Sequence, residues 1–239
     1  MDENTQRDDQ HLVVAHGLGL RGVRARAYKE VDLDLCAGQA HALCAENKGG
    51  KTELLLTIAG RMLPTEGSLR IAGIDARHLR GLDRVRPMAG LGFFDRVNDV
   101  ERVLRVSTVT SAELSLVGRP SGKEATLAYL DEWGLADKAS TVIEDLPRID
   151  YDRLGIALGM AGEPRILVVS DIERDLTEHQ SLSLANELCE VAHRTGACVV
   201  CGVNDYDLAA VFDTATCITD GARAQREAWE RKHHEGKVA

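Results

Sequence analysis

Apolar residues in this chain arrive as short runs separated by turn signals, and the period of each run suggests its element. Residues 12–15, 31–35 and 40–44 read as strands, and residues 50–62 as a helix that starts at a glycine-rich turn. Pro64-Thr65-Glu66-Gly67 then turns the chain into a strand over 68–71, and Gly73 breaks it before Ile74-Asp75. Between residues 97 and 160 strand signals cease. Leu127, Leu130, Trp133 and Leu135 recur there at helical spacing, with Gly134 as the C-cap. Ile166-Leu167-Val168-Val169 is a continuous apolar run suited to a parallel strand buried on both faces. An amphipathic helix is expected over 177–194, a second buried strand over 198–203, a short helix over 206–212 and a last strand over 214–219. The remaining residues, 222–239, alternate charges around Trp229 and suit a solvated helix or a frayed tail.

The chemistry concentrates at one junction. Ala45, Glu46, Asn47, Lys48, Gly49, Gly50, Lys51 and Thr52 lie between the apolar run 40–44 and the helical run that follows. A strand, a glycine-rich loop ending in Gly-Lys-Thr, and a helix make a phosphate-binding loop, with Ala45 in place of the usual first glycine. Such a loop holds phosphate mainly with backbone N–H groups at the positive end of a helix, so the change at Ala45 is tolerable. Lys51 is expected to set its ammonium against the β- and γ-phosphates, and the Thr52 hydroxyl to be a Mg²⁺ ligand. Lys48 stands where glycine is common, and a left-handed backbone there would cost about 1–2 kcal/mol. The competing reading is a tight turn before a core helix.

Composition narrows the setting. With 239 residues, 44% of them hydrophobic, the chain can bury a core of its own. No apolar run approaches the roughly 20 residues that span a membrane, and the acidic, polar first ten residues do not read as a signal peptide. A formal charge of −9 argues against a sequence-independent grip on nucleic acid, which needs clustered cations. The six cysteines mostly fall inside apolar runs, where free cysteine behaves as a small hydrophobe. Cys198 and Cys201 form a C-x-x-C, but Val199 and Val200 continue a strand and no second pair completes a zinc site.

The stretch from Gly49-Gly50-Lys51-Thr52 through Leu54-Leu55-Leu56-Thr57-Ile58-Ala59-Gly60, continued by Leu63-Pro64-Thr65-Glu66-Gly67 and Ile71-Ala72-Gly73-Ile74-Asp75, resembles the ATP-binding cassette of ABC transporters. A narrower likeness, to actinobacterial cassettes found beside ABC-2-type or YhgE-like membrane proteins, rests on Ala59-Gly60-Arg61-Met62 and Val97-Asn98-Asp99. The resemblance implies an α/β fold: a P-loop NTPase of ABC type with a mainly parallel core sheet, an N-terminal antiparallel β part and an inserted helical subdomain. It divides the chain into a tail (1–10), a first core part with the P-loop (11–96), the helical subdomain (97–162), a second core part (163–220) and a C-terminal helix or tail (221–239). It also implies ATP and Mg²⁺ as ligands and an integral membrane permease or similar protein as partner, docked near Phe93-Phe94 to Asp99. A second cassette chain and a place at the inner face of the cell membrane complete the picture.

Other family positions are altered. Where the family has a buried strand followed by Asp-Glu, this chain has Ser170 and Asp171, and a shift of one residue leaves Ile172 where the base belongs. Asp171 is therefore the remaining candidate for a catalytic acid, one methylene shorter than glutamate. The family signature, a glycine-rich cap to a helix, corresponds to Leu146, Pro147, Arg148, Ile149 and Asp150, expected just ahead of a helix over 151–160. Pro147 removes an N–H donor and Asp150 brings negative charge towards phosphate, while Arg148 is a possible compensating ligand. No glutamine occurs between Gln39 and Gln180, and Asn204 occupies the place of the switch histidine. Gly22 takes the position of the adenine-stacking aromatic, with Tyr28 nearby as either a stacking or a packing residue. These changes imply a subunit that binds ATP and hydrolyses it slowly or not at all. Two alternatives stay open: an active transport ATPase using Asp171, helped by Glu173 or Asp175, and a structural scaffold that binds no nucleotide.

Overall fold

The computed structural model describes residues 11–22, 25–46 and 49–235. The expected tail 1–10, Asn47 and Lys48 of the loop, and residues 236–239 lie outside the described residues. In chain order the elements are β1 (His11–Arg21), β2 (Arg26–Cys36), β3 (Ala40–Cys44), α1 (Lys51–Ile58), β4 (Glu66–Ile71), β5 (Ile74–Asp75), α2 (Leu79–Val85) and β6 (Ala89–Leu91). There follow α3 (Val106–Leu116), α4 (Lys123–Glu132), α5 (Arg148–Met160), β7 (Ile166–Val169), α6 (Glu178–Thr195), β8 (Cys198–Val203), α7 (Tyr206–Ala209), β9 (Thr214–Cys217) and α8 (Asp220–Glu235).

Two sheets result, an antiparallel one of order β2-β1-β4-β5 and a parallel one of order β6-β7-β8-β3-β9. The antiparallel sheet is longer than the apolar runs suggest, because its alternation changes phase. Opposite β1, the partners step from Leu18↔Val31 to Leu20↔Tyr28, which leaves one extra residue on β2. Glu30 takes a φ of 52° there, so a bulge moves the inward face from Val31 to Tyr28.

The parallel strands β3, β7 and β8 are buried on both faces. On β8, Cys198 and Val200 face the cluster containing Leu54 and Leu12, while Val199, Cys201 and Val203 face the cluster containing Leu184 and Leu188 of α6. The two cysteines of the C-x-x-C thus lie on opposite faces of one strand. The helix α6 begins with a capping box of Thr177 and Gln180 and ends at Gly196 in the left-handed conformation, within a residue of its expected span. Between β6 and β7, helices α3 to α5 and the turn after α4 bring Val106, Leu130, Leu135 and Leu154 into a cluster of their own.

One buried polar group makes the core sensitive to acid. His41 of β3 is 4% exposed, and its ring nitrogens bond the hydroxyls of Thr214 (2.6 Å) and Thr216 (3.0 Å) on β9. Burial lowers its pKa from 6.5 to about 4, so the ring stays neutral in the folded chain. The unfolded chain takes up the proton first, so stability is whole above pH 6.5 and falls as pH drops towards 4. Urea unfolding between pH 7 and 4 is expected to show a loss of up to about 3 kcal/mol from this residue. The His41→Gln variant should show a smaller acid loss; equal slopes would place the proton uptake elsewhere.

Candidate functional site

The site is built where the carboxyl ends of β3, β7 and β8 meet the N-terminus of α1, the usual location for ligands in open parallel sheets. Ala45 leaves β3 fully buried, its N–H bonded to Val203 O of β8 at 3.1 Å. Gly49 donates its N–H to Glu46 O (2.9 Å), closing a turn, so this amide is engaged within the loop and is not free for phosphate as the sequence suggests. Gly50 precedes α1 with φ 81°, and a Cβ there would lie 1.9 Å from Ala27 O of β2. The approach of β2 thus demands glycine at this position independently of any ligand.

Lys51, the first residue of α1, is 4% exposed despite its charge. Its ammonium donates to Ala45 O (2.7 Å), Val203 O (3.0 Å) and Asn204 Oδ1 (2.6 Å), and lies 2.8 Å from Asp171 Oδ1. The three N–H donors of a lysine are spent on the first three oxygens. Asp171 Oδ1 receives the charge but no directed hydrogen bond, and it is a buried side-chain oxygen without one. With Lys51 drawn to phosphate, that oxygen would suit a hard cation. The exposed Thr52 and Asp171 both line a cavity of about 220 Å³, and an aspartate and a hydroxyl with room for waters fit Mg²⁺.

The residues around this centre are placed with different effect. Ser170 turns away, its hydroxyl donating to Phe93 O at 2.9 Å. Glu173 accepts the backbone N–H groups of Asn204 and Asp205, and burial raises its pKa against the lowering effect of those amides and Lys51. Asn204 is thereby held from both sides, its N–H on Glu173 and its side-chain oxygen on Lys51. The Glu46 carboxylate accepts the Thr219 hydroxyl at 2.5 Å, which lowers its pKa and ties the loop to the start of α8. This tie and the capping role of Glu173 escape sequence reading, since one spans 173 residues and the other depends on a strand crossing.

A larger cavity of about 700 Å³ is lined by Gly22, Arg26, Gly50, Lys51, Thr52 and Asp171 among others, and no aromatic residue lines it among the described residues. Tyr28 is 4% exposed and donates its hydroxyl to Thr57 Oγ1 at 2.8 Å. It is a packing residue, its pKa pushed up to about 12 by burial.

The segment expected as an altered signature straddles the start of its helix instead of lying wholly ahead of it. α5 starts at Arg148 with Pro147 as N-cap, so Arg148, Ile149 and Asp150 form its first turn, and Leu146 packs under α3 to α5. Arg148 bonds Asp152 (2.9 Å), stands 5.6 Å over the Tyr151 ring and lies 3.8 Å from Asp175. Asp150 is neutralised by Arg153 (3.0 Å), which also binds Glu187 (2.6 Å).

A family model described as ABC transporter matches residues 28–171. The chain is 28% identical over 211 residues to the methionine import ATP-binding protein MetN 2 of Burkholderia mallei, covering 85% of this chain and 52% of that protein. It is 29% identical over 197 residues to the phosphonates import ATP-binding protein PhnC 2 of Synechococcus sp., covering 78% and 73%. The chain spans about half the length of the curated relatives it matches first. In fold it is similar to cbiO1 from Clostridium perfringens, part of an ABC transporter complex (TM-score 0.74, 18% identity, 89% and 86% of the two chains). It is likewise similar to the dimeric ATP-binding cassette MJ0796 bound to ADP and Pi (TM-score 0.73, 22% identity, 87% and 95%).

The placement of Tyr28 yields a test. Tyr28→Phe loses one buried hydrogen bond while Thr57 keeps its bond to Glu53 O, so urea unfolding should show a loss of about 1 kcal/mol. Removing the ring tests stacking itself: a folded Tyr28→Leu should keep its nucleotide affinity by calorimetry, and a fall there would return Tyr28 to the base-stacking role.

Proposed function

The chain belongs to the ABC transporter family, and we propose that it is the nucleotide-binding subunit of an ABC-type membrane assembly, binding ATP with Mg²⁺ but turning it over slowly or not at all. The observation that carries this reading is the Lys51 ammonium, buried at the head of α1 beside a 700 Å³ cavity and held by oxygens rather than by packing. A cation satisfied this way can exchange carbonyl partners for phosphate oxygens of greater charge. Gly50 and Lys51 offer backbone N–H groups at the helix start, and Thr52 and Asp171 stand ready for the metal. Mg²⁺, when bound, would neutralise part of the phosphate charge.

The same geometry argues against fast turnover. A water-activating base must be free to meet the attacking water. Asp171 is paired with Lys51, Ser170 has no charge and faces Phe93, and both oxygens of Glu173 hold backbone amides. Asp175 is on the surface between Arg148 and Arg174. A misplacement of about 1 Å in such a site can cost on the order of a hundredfold in rate. The alternative of an active ATPase asks Asp171, once phosphate has drawn Lys51 away, to serve as metal ligand and as base with a side chain one methylene shorter than glutamate.

Partners follow from the same reading. No helix among the described residues is long and apolar enough to cross a membrane; on this reading the chain sits at the inner face of the membrane on a permease-like protein. A groove of about 560 Å³ lined by Leu91, Phe93, Val97, Val109 and Val117 supports docking there. Phe94, 1% exposed, belongs to the core and takes no part. A second cassette chain is in keeping with the dimeric cassette that the fold resembles.

Calorimetry with MgATP should show binding that is lost in Lys51→Ala. In Thr52→Ala, an exposed site that leaves folding intact, the Mg²⁺-dependent part of the affinity should disappear. Phosphate release should stay below about 1 s⁻¹, the lower end of ordinary enzyme rates. A faster rate abolished by Lys51→Ala would overturn the slow-turnover reading, and a folded sample that ignores ATP at millimolar concentration would overturn binding itself.

A further inference from the structure

Two thiols at the base of the phosphate loop are cross-strand neighbours. Cys44 ends β3, Cys217 ends β9, and the parallel ladder pairs them directly. Both side chains fall on the sheet face that packs against α6. Neighbouring strands run about 4.8 Å apart, within the window of roughly 4.4–6.8 Å between Cα atoms that a disulfide requires. The C-x-x-C, which is the more conspicuous pair in the sequence, is excluded by its opposite faces.

The surroundings give the two sulfurs different parts. Cys44 is wholly buried and directs its Sγ towards Asn204 O at 3.9 Å. Cys217 is 9% exposed and lies beside Arg226 and Arg223 of α8. The Cys44 thiol lies within hydrogen-bonding reach of Cys217 and lowers its pKa, with both arginines adding to the effect, while the pKa of Cys44 is raised by the same contact and by burial. Of the two sulfurs, Cys217 is thus the more readily ionised and the less deeply buried.

We propose that Cys44 and Cys217 form an oxidation site, a dithiol that a small hydroperoxide closes to a disulfide and a thiol reductant reopens. The Cys217 thiolate attacks one peroxide oxygen, the O–O bond breaks, and Cys217 becomes a sulfenic acid with hydroxide leaving. Cys44 sulfur then displaces the sulfenic oxygen. The S–S bond forms, the Cys44 proton and the displaced hydroxide leave as water, and two electrons have passed from the thiols to the peroxide.

The position of the pair gives the bond its consequence. Cys44 directly precedes Ala45, whose carbonyl holds Lys51, and Cys44 O accepts the N–H of Ile218. Thr219, two residues beyond Cys217, holds Glu46. A disulfide would bind together the two strand ends from which both restraints on the loop arise, and keep Lys51 on its internal oxygens. This consequence rests on the nucleotide-binding reading; the oxidation does not.

The test treats the folded full chain with hydrogen peroxide, then maps thiols and cross-linked peptides by mass spectrometry. The expected result is a loss of two hydrogens and a peptide joining Cys44 to Cys217, absent from Cys217→Ser and retained in Cys189→Ser. Unchanged thiols, or Cys217 carried to sulfinic acid without a cross-link, would overturn the proposal in the unmodified protein, whatever the folding of the variants. MgATP affinity should fall at least about tenfold on oxidation, the loss expected for one charged hydrogen bond, and return with dithiothreitol. A cross-linked chain with unaltered affinity would overturn the locking role. A reduced chain that binds no MgATP would instead sink the nucleotide-binding reading and leave the cross-link result intact.

Discussion

The buried ammonium of Lys51 sets the terms for everything around it. Taking a charge out of water costs several kcal/mol unless oxygens replace the lost solvent. Here the replacements come from the ends of three neighbouring strands: Ala45 O just beyond β3, Val203 O at the end of β8, and Asp171 shortly after β7. The sheet order β7-β8-β3 is what brings these ends side by side. A single cation therefore joins the loop, the switch position at Asn204 and the acid after β7, and none of them can shift without changing what the other two experience.

On the proposed reading, that coupling is the reason binding and turnover would separate. Phosphate would take over Lys51, which leaves the carbonyls of Ala45 and Val203 to other donors and frees Asp171 for a metal. Nothing in this exchange produces a base. Glu173, two residues beyond Asp171, is occupied in holding the amides of Asn204 and Asp205, and releasing it would leave two backbone donors to be satisfied again. In the proposed reading the groups that respond to a triphosphate are kept, while those that would cleave it are engaged in structure.

Much of the core is legible in the sequence because the parallel strands are buried on both faces, and an uninterrupted run such as Ile166-Leu167-Val168-Val169 suits few places in a fold besides a covered strand. The Gly-Lys-Thr junction is legible for a related reason, since backbone sterics at Gly50 and the oxygens around Lys51 leave little choice of residue. Other features are not. β2 shows in the apolar pattern only from Val31 onward, because the bulge at Glu30 reverses the inward face and breaks the alternation. β6 is silent, since Ala89-Gly90-Leu91 carries little apolar signal; its place depends on Gly90 passing so close to α5 that a Cβ would lie 2.0 Å from Gly159 O. The part played by Tyr28 is undecided in the sequence because its partner, Thr57, is on an element whose position the sequence does not reveal. The tie between Glu46 and Thr219, and the pairing of Cys44 with Cys217, likewise join residues that only the fold makes neighbours.

The altered signature presents a subtler balance than its residue types suggest. Asp150 brings a negative charge to the start of α5, where a helix N-terminus welcomes it, and Arg153 neutralises it further. Repulsion of phosphate by Asp150 is therefore weaker than the bare sequence implies. Arg148 carries the opposite correction, for it is not a free cation but one shared by Asp152, Asp175 and the face of Tyr151. To meet a phosphate held by a second chain it would have to abandon Asp152, whose carboxylate is largely buried and would be left uncompensated. The two adjustments pull in different directions, and the second is the larger, because a buried carboxylate without its arginine costs more than a neutralised one saves. On the proposed reading this face would be a poor partner for phosphate, because its arginine is already in use rather than because an aspartate is in the way.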